Sequence, residues 1–396
     1  MSAELLNQDI VIVAAKRTPM GGFQGVLSSV PSPKLAATAI KGLMQHSGLT
    51  GAQIDEVLMG CVLPAGLGQA PARQATLGAD LPLSVNATTI NKVCGSGMKT
   101  VMLAHDLIKA GSASVVIAGG MENMSQAPYL LDKARGGMRM GHGKVLDHMF
   151  LDGLEDAYTG GAMGSFAQQT ANEFSLTREQ MDDFALSSLE KANAAINAGA
   201  FEAEISPVTV ANRRGDVVVT TDEQPGNARP DKIPALRPAF AKDGTITAAN
   251  SSSISDGAAA LMLMTRAQAF TLGLEVMATI KGHITHAQEP EKFTTAPVGS
   301  MKKLLDKVNW NTNDVDLFEI NEAFAMVTML AVSELGLDAS KVNVNGGACA
   351  LGHPIGCSGA RILVTLIHAL KARGLSKGVA SLCIGGGEAT AMAIEL

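Results

Sequence analysis

The sequence predicts an α/β fold in which strands and helices form stacked layers. Strand-like and helix-like segments alternate along 396 residues, which include 42 glycines and only 4% aromatic residues. This composition is typical of proteins with tight turns and closely packed helices and strands. With 46% apolar and 17% charged residues, it can bury the cores of two or three domains. This composition excludes disordered and fibrous proteins.

Two cycles of strand and helix are predicted in the first part of the chain. Apolar runs predict the strands, and apolar residues at helical spacing predict the helices. Gly119 and Gly120 are expected to close the last of these strands,. The predicted elements are strand 9–15, helix 34–46, strand 56–59, helix 94–110 and strand 114–118.

A similar cycle returns near the C-terminus. Residues 360–372 are predicted to be helical, and strand 379–383 follows them and is closed by the three glycines at 385–387. Asp316 lies 42 residues before Ser358, close to the 41 residues that separate Asp55 from Ser96 in the first part. We interpret this as two related halves. The predicted division is residues 1–121 plus 249–275 for the N-terminal half, 122–248 for an inserted loop domain, and 276–396 for the C-terminal half.

The predicted insertion differs in character from both halves. It contains a stretch rich in glycine, methionine and histidine at 136–148 and a polar stretch with prolines at 212–238. A helix is predicted over 178–197, because Thr177 and Gln180 form a capping signal before it. We expect such a segment to carry loops that cover a site and contact a neighbouring subunit.

Charge and cysteine content limit the possible partners and location. Thirty-one basic and 37 acidic residues give a net charge of -6, so we expect no nucleic-acid or membrane partner. Five cysteines are too few for a disulfide scaffold and indicate a reducing compartment. Residues 1–16 contain Glu4 and Asp9 and no basic cluster, and no run of 18 apolar residues is seen. We therefore expect a cytoplasmic protein without a targeting or membrane-spanning segment.

Cys94 and His353 are the leading candidates for chemistry. Cys94 lies in the segment 91–97 (NKVCGSG) at the start of a predicted helix, where free N–H groups and the helix dipole favour a thiolate. A lone cysteine is more commonly a small buried hydrophobe, but flanking glycines allow a bulky substrate to approach. His353 lies in the glycine-rich loop 346–356 before another helix, where Pro354 restricts the backbone and the imidazole can be aimed.

Cys383 and Asn321 are further candidates at strand ends. Cys383 ends the last predicted strand, at the edge where α/β sheets bind ligands. Alone it is typical of a buried residue, but beside Cys94 and His353 it would supply a second acid or base. Asn321 follows the strand-like run 315–320. It could orient a water or polarise a carbonyl, or it could cap a helix.

No metal or nucleotide site is predicted. The sequence has no CxxC pair or HExxH motif, and Gly95-Ser96-Gly97 lacks the third glycine of the dinucleotide fingerprint,. The other seven histidines are expected to be surface or satisfied core residues: His46, His105, His142, His148, His283, His286 and His368.

In its motifs the chain resembles the thiolase family, of the acetyl-CoA acetyltransferase (acetoacetyl-CoA thiolase) type. The resemblance implies a five-layer α-β-α-β-α fold of two related halves with an inserted loop domain. It also implies reversible condensation of two acetyl-CoA to acetoacetyl-CoA and coenzyme A, with coenzyme A as substrate or product and no cofactor. The expected assembly is a homotetramer, a dimer of dimers, with a dimer as the alternative. The matching segments are 17–19, 71–74, 91–97, 118–125, 343–361 and 383–387.

The resemblance also implies roles for the four candidates. Cys94 would be the nucleophile that accepts the acyl group, His353 its activating base, and Cys383 the base that takes the α-proton of acetyl-CoA. One oxyanion hole would consist of His353 and a water held by Asn321. The other would consist of the backbone N–H groups of Cys94 and Gly385.

The positions implied for the coenzyme A pantetheine have structural alternatives. Four of them could simply pack in a core, and the serine could form a turn. Short-chain members commonly have His-Met-Gly in the pantetheine loop, whereas this chain has Ala162 before Met163. A degradative 3-ketoacyl-CoA thiolase for longer chains is therefore the alternative function. A decarboxylating ketoacyl synthase and an inactive acyl-CoA binder are the competing classes. The implied pantetheine positions are Met163, Phe240, Ser252, Ala323 and Phe324.

Overall fold

The strands of the protein form one long mixed sheet and two small hairpins. The computed structural model describes residues 7–396, so the first six residues, including Glu4, lie outside the described part. The large sheet has the strand order β12-β13-β14-β11-β1-β10-β5-β3-β4, with β2 paired to β10. The strands are β1 (Ile10–Arg17), β2 (Gly21–Gly22), β3 (Glu56–Gly60), β4 (Asn86–Ile90), β5 (Val115–Asn123), β6 (Tyr129–Leu130), β7 (Leu146–Asp147), β8 (Val208–Val210), β9 (Val217–Val219), β10 (Ser255–Thr265), β11 (Ala278–Ala287), β12 (Leu317–Ile320), β13 (Lys377–Ile384) and β14 (Glu388–Glu395).

Helices lie between these strands and within the predicted insertion. The predicted helix over 178–197 is confirmed, and the Thr177 and Gln180 side chains form its capping box,. The α-helices described are α1 (Ser32–Ser47), α2 (Pro71–Gly78), α3 (Ser96–Lys109), α4 (Met163–Glu173), α5 (Arg178–Asn197), α6 (Glu223–Asn227), α7 (Arg266–Thr271), α8 (Ala296–Val308), α9 (Ala325–Leu335), α10 (Ala348–Leu351) and α11 (Ile355–Arg373). Short segments of 3-10 or π helix lie at Gly51–Gln53, Met124–Gln126, Phe150–Leu154, Pro230–Ala235, Pro290–Thr295, Thr312–Asp314 and Ala339–Lys341.

The two halves have the same strand order and the same strand directions. In the first half the order is β1-β10-β5-β3-β4, with two antiparallel pairings followed by two parallel ones. In the second half it is β11-β14-β13-β12, again with two antiparallel pairings and then a parallel one. An isolated parallel β-bridge between Phe318 and Val342 stands where the first half has its second parallel pairing, that of β3 with β4. The prediction of two related halves is confirmed.

Asp55 and Asp316, which marked the repeat in the sequence, make the same contact in each half. The Asp55 carboxylate accepts hydrogen bonds from the N–H groups of Ser114 and Val115, at 2.7 and 2.9 Å. Asp316 accepts from the N–H groups of the corresponding Ser376 and Lys377, at 3.0 and 2.8 Å. Each aspartate therefore holds the start of the third strand of its half.

Five layers result from the way the helices cover the sheet. The central hydrophobic cluster contains residues of α3 and α11 together with strand residues from both halves. A second cluster places α1 and α2 on the other face of the first-half strands. A third places α8 and α9 on the other face of the second-half strands. The α-β-α-β-α arrangement expected from the sequence is thus present.

Glycines let the two central helices cross closely. A Cβ added at Gly97 would lie 2.8 Å from the Ala360 nitrogen, and one added at Gly359 would lie 2.8 Å from Met98 Cβ and overlap the Met98 nitrogen. The crossing brings the N-terminal ends of α3 and α11 together. It therefore positions the two loops that precede these helices, one with Cys94 and one with His353.

Two sequence predictions about glycine-rich segments need correction. The strand predicted to end at Gly119 and Gly120 continues through both as β5, because these glycines permit close packing: a Cβ at either would overlap backbone of β10 or α11. Cys94 lies before helix α3 and not within it, since the helix begins at Ser96. The C-terminal glycines at 385–387 do form the turn expected of them.

One helix has the length and composition of a membrane-spanning segment, contrary to the expectation from the sequence. α11 has 19 residues, and its most apolar window has a mean hydropathy of 1.3. Within that window, 89% of the residues are buried inside the fold. Such burial is typical of the core helix at the centre of a layered domain.

Candidate active site

The loop between β4 and α3 holds Cys94 in a tight turn. Val93 has a positive φ of 45°, and the Ser96 hydroxyl accepts from the Lys92 N–H at 2.8 Å and donates to the Val93 carbonyl at 2.7 Å. These bonds fix the backbone on both sides of Cys94. The residue as a whole is only partly buried.

The Cys94 thiol is protonated in the resting protein. Burial raises its pKa to about 11, although the backbone N–H groups of Gly385 and of Cys94 itself point at the sulfur and lower the pKa. The backbone N–H groups therefore favour the thiolate, as expected from the sequence, but desolvation outweighs them,. The thiol needs a base.

The hairpin between β13 and β14 forms the opposite wall. It is fixed to the Cys94 loop by a 2.6 Å ion pair between Lys92 Nζ and Glu388 and by the Ile384 side chain, which packs on Gly95. Cys383 lies fully buried at the end of β13. Burial raises the pKa of the Cys383 thiol well above its ordinary value, and a negative charge on the nearby Cys94 would raise that pKa further. The two cysteines are thus close neighbours.

His353 has the properties of a neutral base. Its Nδ1 lies 2.5 Å from the Ser358 Oγ, which donates to the Pro354 carbonyl at 3.0 Å. The serine hydrogen is thereby used, so Nδ1 carries a proton and Nε2 is left with a free lone pair. Nε2 is buried without a hydrogen-bond partner in the described protein. Burial, and then the Arg361 charge, lower the pKa of His353 to about 3, so the ring is neutral at physiological pH.

Asn321 presents an unpartnered amide in the same region. Its side chain is 1% exposed, and neither Oδ1 nor Nδ2 has a hydrogen-bond partner within residues 7–396. Asn321 does not cap a helix, because α9 begins at Ala325 with Phe324 at its N-cap position. A buried amide without a partner is costly, which favours binding of a water or a carbonyl oxygen.

The segment around Asn321 is held in place by hydrogen bonds of Glu322 and Asn343, which were not among the predicted site residues. The Glu322 carboxylate accepts from Asn343 Nδ2 at 2.8 Å, Ser188 Oγ at 2.7 Å and the Cys349 N–H at 3.0 Å. Asn343 also exchanges hydrogen bonds with the backbone of Ile320. Burial raises the pKa of Glu322. Asn343 has a positive φ of 47°, which the sequence offers no means of seeing.

The five implied pantetheine positions lie beside this site. Met163 begins α4, and its sulfur would lie 3.4 Å from a Cβ added at Gly385. The Ser252 N–H donates to the Ala323 carbonyl at 2.9 Å. The Phe240 ring packs edge-on against Phe324, with centroids 6.3 Å apart. Met163, Ala323 and Phe324 therefore pack in one hydrophobic cluster with Cys383, and Phe240 and Ser252 contact members of that cluster. Their part in binding stays a prediction.

Comparison with known proteins agrees with this geometry. The profile of the family "Thiolase, N-terminal domain" matches residues 10–267, and that of "Thiolase, C-terminal domain" matches residues 274–396. The chain belongs to the thiolase family. It is 51% identical over 389 residues to the acetyl-CoA acetyltransferase of Cupriavidus necator, across 98% of this chain and 99% of the other.

Two solved thiolase structures superpose on nearly all of it. The Bacillus anthracis acetyl-CoA acetyltransferase has a TM-score of 0.96 at 42% identity and covers 98% of each chain. The Acat5 thiolase from Ascaris suum, solved in complex with coenzyme A, has a TM-score of 0.93 at 42% identity, covering 98% of this chain and 99% of that one.

This thiolase also contains a buried acid that the sequence did not single out. The Glu122 carboxylate accepts from the N–H groups of Val62, Leu63 and Gly356, at 2.9, 3.2 and 3.0 Å. Burial raises the pKa of Glu122 to about 7, against the effect of these donors. Glu122 thus joins the loop after β3 to the start of α11 and helps to hold the His353 loop.

Proposed function

We propose that the protein is an acetyl-CoA C-acetyltransferase that reversibly condenses two acetyl-CoA to acetoacetyl-CoA and coenzyme A. This proposal rests on two neighbouring thiols, those of Cys94 and Cys383. Two buried polar groups, His353 Nε2 and the Asn321 side-chain amide, have no hydrogen-bond partner within the described residues. The chemistry needs a nucleophile, two proton acceptors and donors for a developing oxyanion.

In the first step Cys94 attacks the thioester carbonyl of acetyl-CoA. His353 Nε2 takes the thiol proton as the sulfur–carbon bond forms, because its lone pair is free and the ring is neutral. The carbon–sulfur bond to coenzyme A breaks, and the leaving thiolate takes a proton from Cys383, so Cys383 becomes a thiolate while His353 keeps the proton on Nε2. The product is acetyl-Cys94. The N–H groups of Cys94 and Gly385, which point at the Cys94 sulfur, are proposed to stabilise the oxyanion at this carbonyl,.

In the second step Cys383 removes an α-proton from a second acetyl-CoA. The enolate oxygen accepts hydrogen bonds from the protonated Nε2 of His353 and from a water held by Asn321. The carbanion attacks the acetyl carbonyl, a carbon–carbon bond forms, and Cys94 leaves as a thiolate that takes the proton back from His353. Cys383, which now holds the α-proton, and Cys94 are then both neutral thiols, as in the resting protein.

We further propose a homotetramer, built as a dimer of dimers, that acts in the cytoplasm and needs no cofactor. The net charge of -6 and the five free cysteines support this location and a reducing environment,. Met163, Phe240, Ser252, Ala323 and Phe324 are proposed to line the pantetheine.

Thiolysis with free coenzyme A tests the function and the chain length together. We expect faster turnover, as kcat/KM, on acetoacetyl-CoA than on 3-ketodecanoyl-CoA. A clear preference for the longer substrate would contradict the short-chain assignment. Absence of turnover on both would contradict the thiolase assignment.

A further inference from the structure

Three metal-ligating side chains meet where the two halves adjoin, away from the cysteines. His105 and Asp106 lie near the C-terminal end of α3, and His283 lies on β11. His283 Nε2 is 3.3 Å from His105 Nδ1 and 3.0 Å from Asp106 Oδ1, and His105 Nδ1 is 2.9 Å from the same oxygen. Each atom therefore contacts both of the others.

Hydrogen bonds cannot satisfy all three contacts at once. If both ring nitrogens carry protons and donate to the Asp106 carboxylate, the two N–H groups face each other at 3.3 Å. If one imidazole accepts from the other, its lone pair faces the acceptor-only carboxylate at 3.0 Å or less,. With the Asp106 carboxylate ionised, each of these arrangements leaves one unfavourable contact. A cation at the centre would make all three favourable.

The distances agree with those around zinc. Bonds of about 2.0–2.1 Å in a tetrahedral site place neighbouring ligand atoms about 3.3 Å apart, close to the observed 2.9, 3.0 and 3.3 Å. Two imidazoles and one carboxylate are a donor set that zinc accepts. We propose that His105, Asp106 and His283 bind a divalent transition-metal ion of the zinc class.

The surroundings leave a fourth position open. The Asp106 side chain is 55% exposed, whereas those of His105 and His283 are 20% and 13% exposed, so water can complete the coordination. The Lys307 ammonium, which donates to the His283 carbonyl at 3.0 Å, opposes a cation nearby, and the Asp106 charge offsets it.

The site would connect the halves of the fold. α3 follows Cys94 in the first half, and β11 opens the second half, 177 residues beyond Asp106. A ligand that binds only the folded state raises the melting temperature as its concentration rises. Bound zinc would therefore stabilise the protein without taking part in the thiolase chemistry.

Titration of metal-free protein with Zn²⁺ against a competing chromophoric chelator tests the proposal. We expect one tight equivalent for the wild type and for His142→Gln, a matched control because His142 is an exposed histidine outside the cluster. His105→Gln and His283→Gln should each weaken binding more than tenfold, because even partners behind metal ligands contribute about 10–100-fold. Zn²⁺ should raise the melting temperature of the wild type and the control only.

Two further measurements separate loss of the metal site from loss of the fold. Asp106→Asn keeps the size of the side chain and removes its charge, and it should also weaken Zn²⁺ binding. Far-UV circular dichroism and metal-free thiolysis activity should match the wild type for every variant. The proposal is overturned if the wild type binds no Zn²⁺ at micromolar concentrations. It is equally overturned if folded His105→Gln and His283→Gln bind Zn²⁺ as the wild type does.

Discussion

Ser358→Ala removes the group that orients His353. The Ser358 Oγ accepts the Nδ1 proton at 2.5 Å and is held by its own bond to the Pro354 carbonyl at 3.0 Å. Without that oxygen, Nδ1 keeps a buried proton with no acceptor. The other tautomer, with the proton on Nε2, then becomes favourable, and this tautomer cannot accept the Cys94 proton.

The size of the effect follows from the cost of an unsatisfied buried donor. Leaving such a group without a partner costs about 1–3 kcal/mol, and each 1.4 kcal/mol changes a rate about tenfold. We therefore expect kcat for acetoacetyl-CoA thiolysis to fall about 10- to 100-fold, with a much smaller change in KM. The expected change is in kcat because the orientation of Nε2 matters most when the thiol proton moves.

Ser300→Ala is the matched control for this measurement. Ser300 is also buried, and its hydroxyl lies 3.0 Å from both the Pro297 carbonyl and the Ser381 hydroxyl. Within residues 7–396 it makes no hydrogen bond to a histidine. Steady-state kinetics and melting temperatures of both variants should show similar losses of stability and a loss of kcat in Ser358→Ala alone. Wild-type kcat in Ser358→Ala, or an equal loss in both variants, would refute the role of the serine.

Three further predictions concern the thiol, the central crossing and the amide. Because burial raises the pKa of Cys94 to about 11, the rate of its alkylation by iodoacetamide should rise about tenfold per pH unit up to about pH 9.5. A rate that stops rising near pH 8.5 would contradict this. Gly359→Ala should lower the free energy of unfolding by about 1–3 kcal/mol in chemical denaturation, whereas Gly226→Ala, whose Cβ meets nothing within 4 Å, should not. Asn321→Leu should lower kcat about 100-fold with an unchanged melting temperature, since the side-chain amide makes no hydrogen bond within the described residues 7–396. An unchanged kcat would argue against its role.

The parts of the fold that the sequence could predict are those with local causes. The helix over Arg178–Asn197 follows from its capping box, and the turn at 385–387 follows from three consecutive glycines. The similar spacing of Asp55 and Asp316 from later motifs predicted two related halves. This prediction succeeded because each aspartate accepts hydrogen bonds at the start of the corresponding strand in its half. By contrast, Gly119 and Gly120 suggested an end to β5, although they serve close packing between layers.

The site was predictable where it lies in motifs and not where it depends on distant contacts. Cys94, His353 and Cys383 stand in short glycine-rich segments, and their order along the chain pointed to a family. The pKa of Cys94 depends on how deeply the sulfur is surrounded, which motifs do not encode. The supporting roles of Glu122 and Glu322 likewise depend on hydrogen bonds to residues far away in the sequence. The sequence shows these two residues only as charged side chains.

An acetyl adduct on Cys94 is the most direct test of the proposed chemistry. After incubation with acetyl-CoA alone, intact-mass spectrometry should show an increase of about 42 Da on the wild type. The same increase is expected for Cys383→Ser, which can accept an acyl group but not condense it, and for Cys61→Ser, a buried cysteine outside the pair. Cys94→Ser should show none. An adduct that persists in Cys94→Ser, or one that disappears in Cys383→Ser alone, would contradict the assignment of Cys94 as the nucleophile.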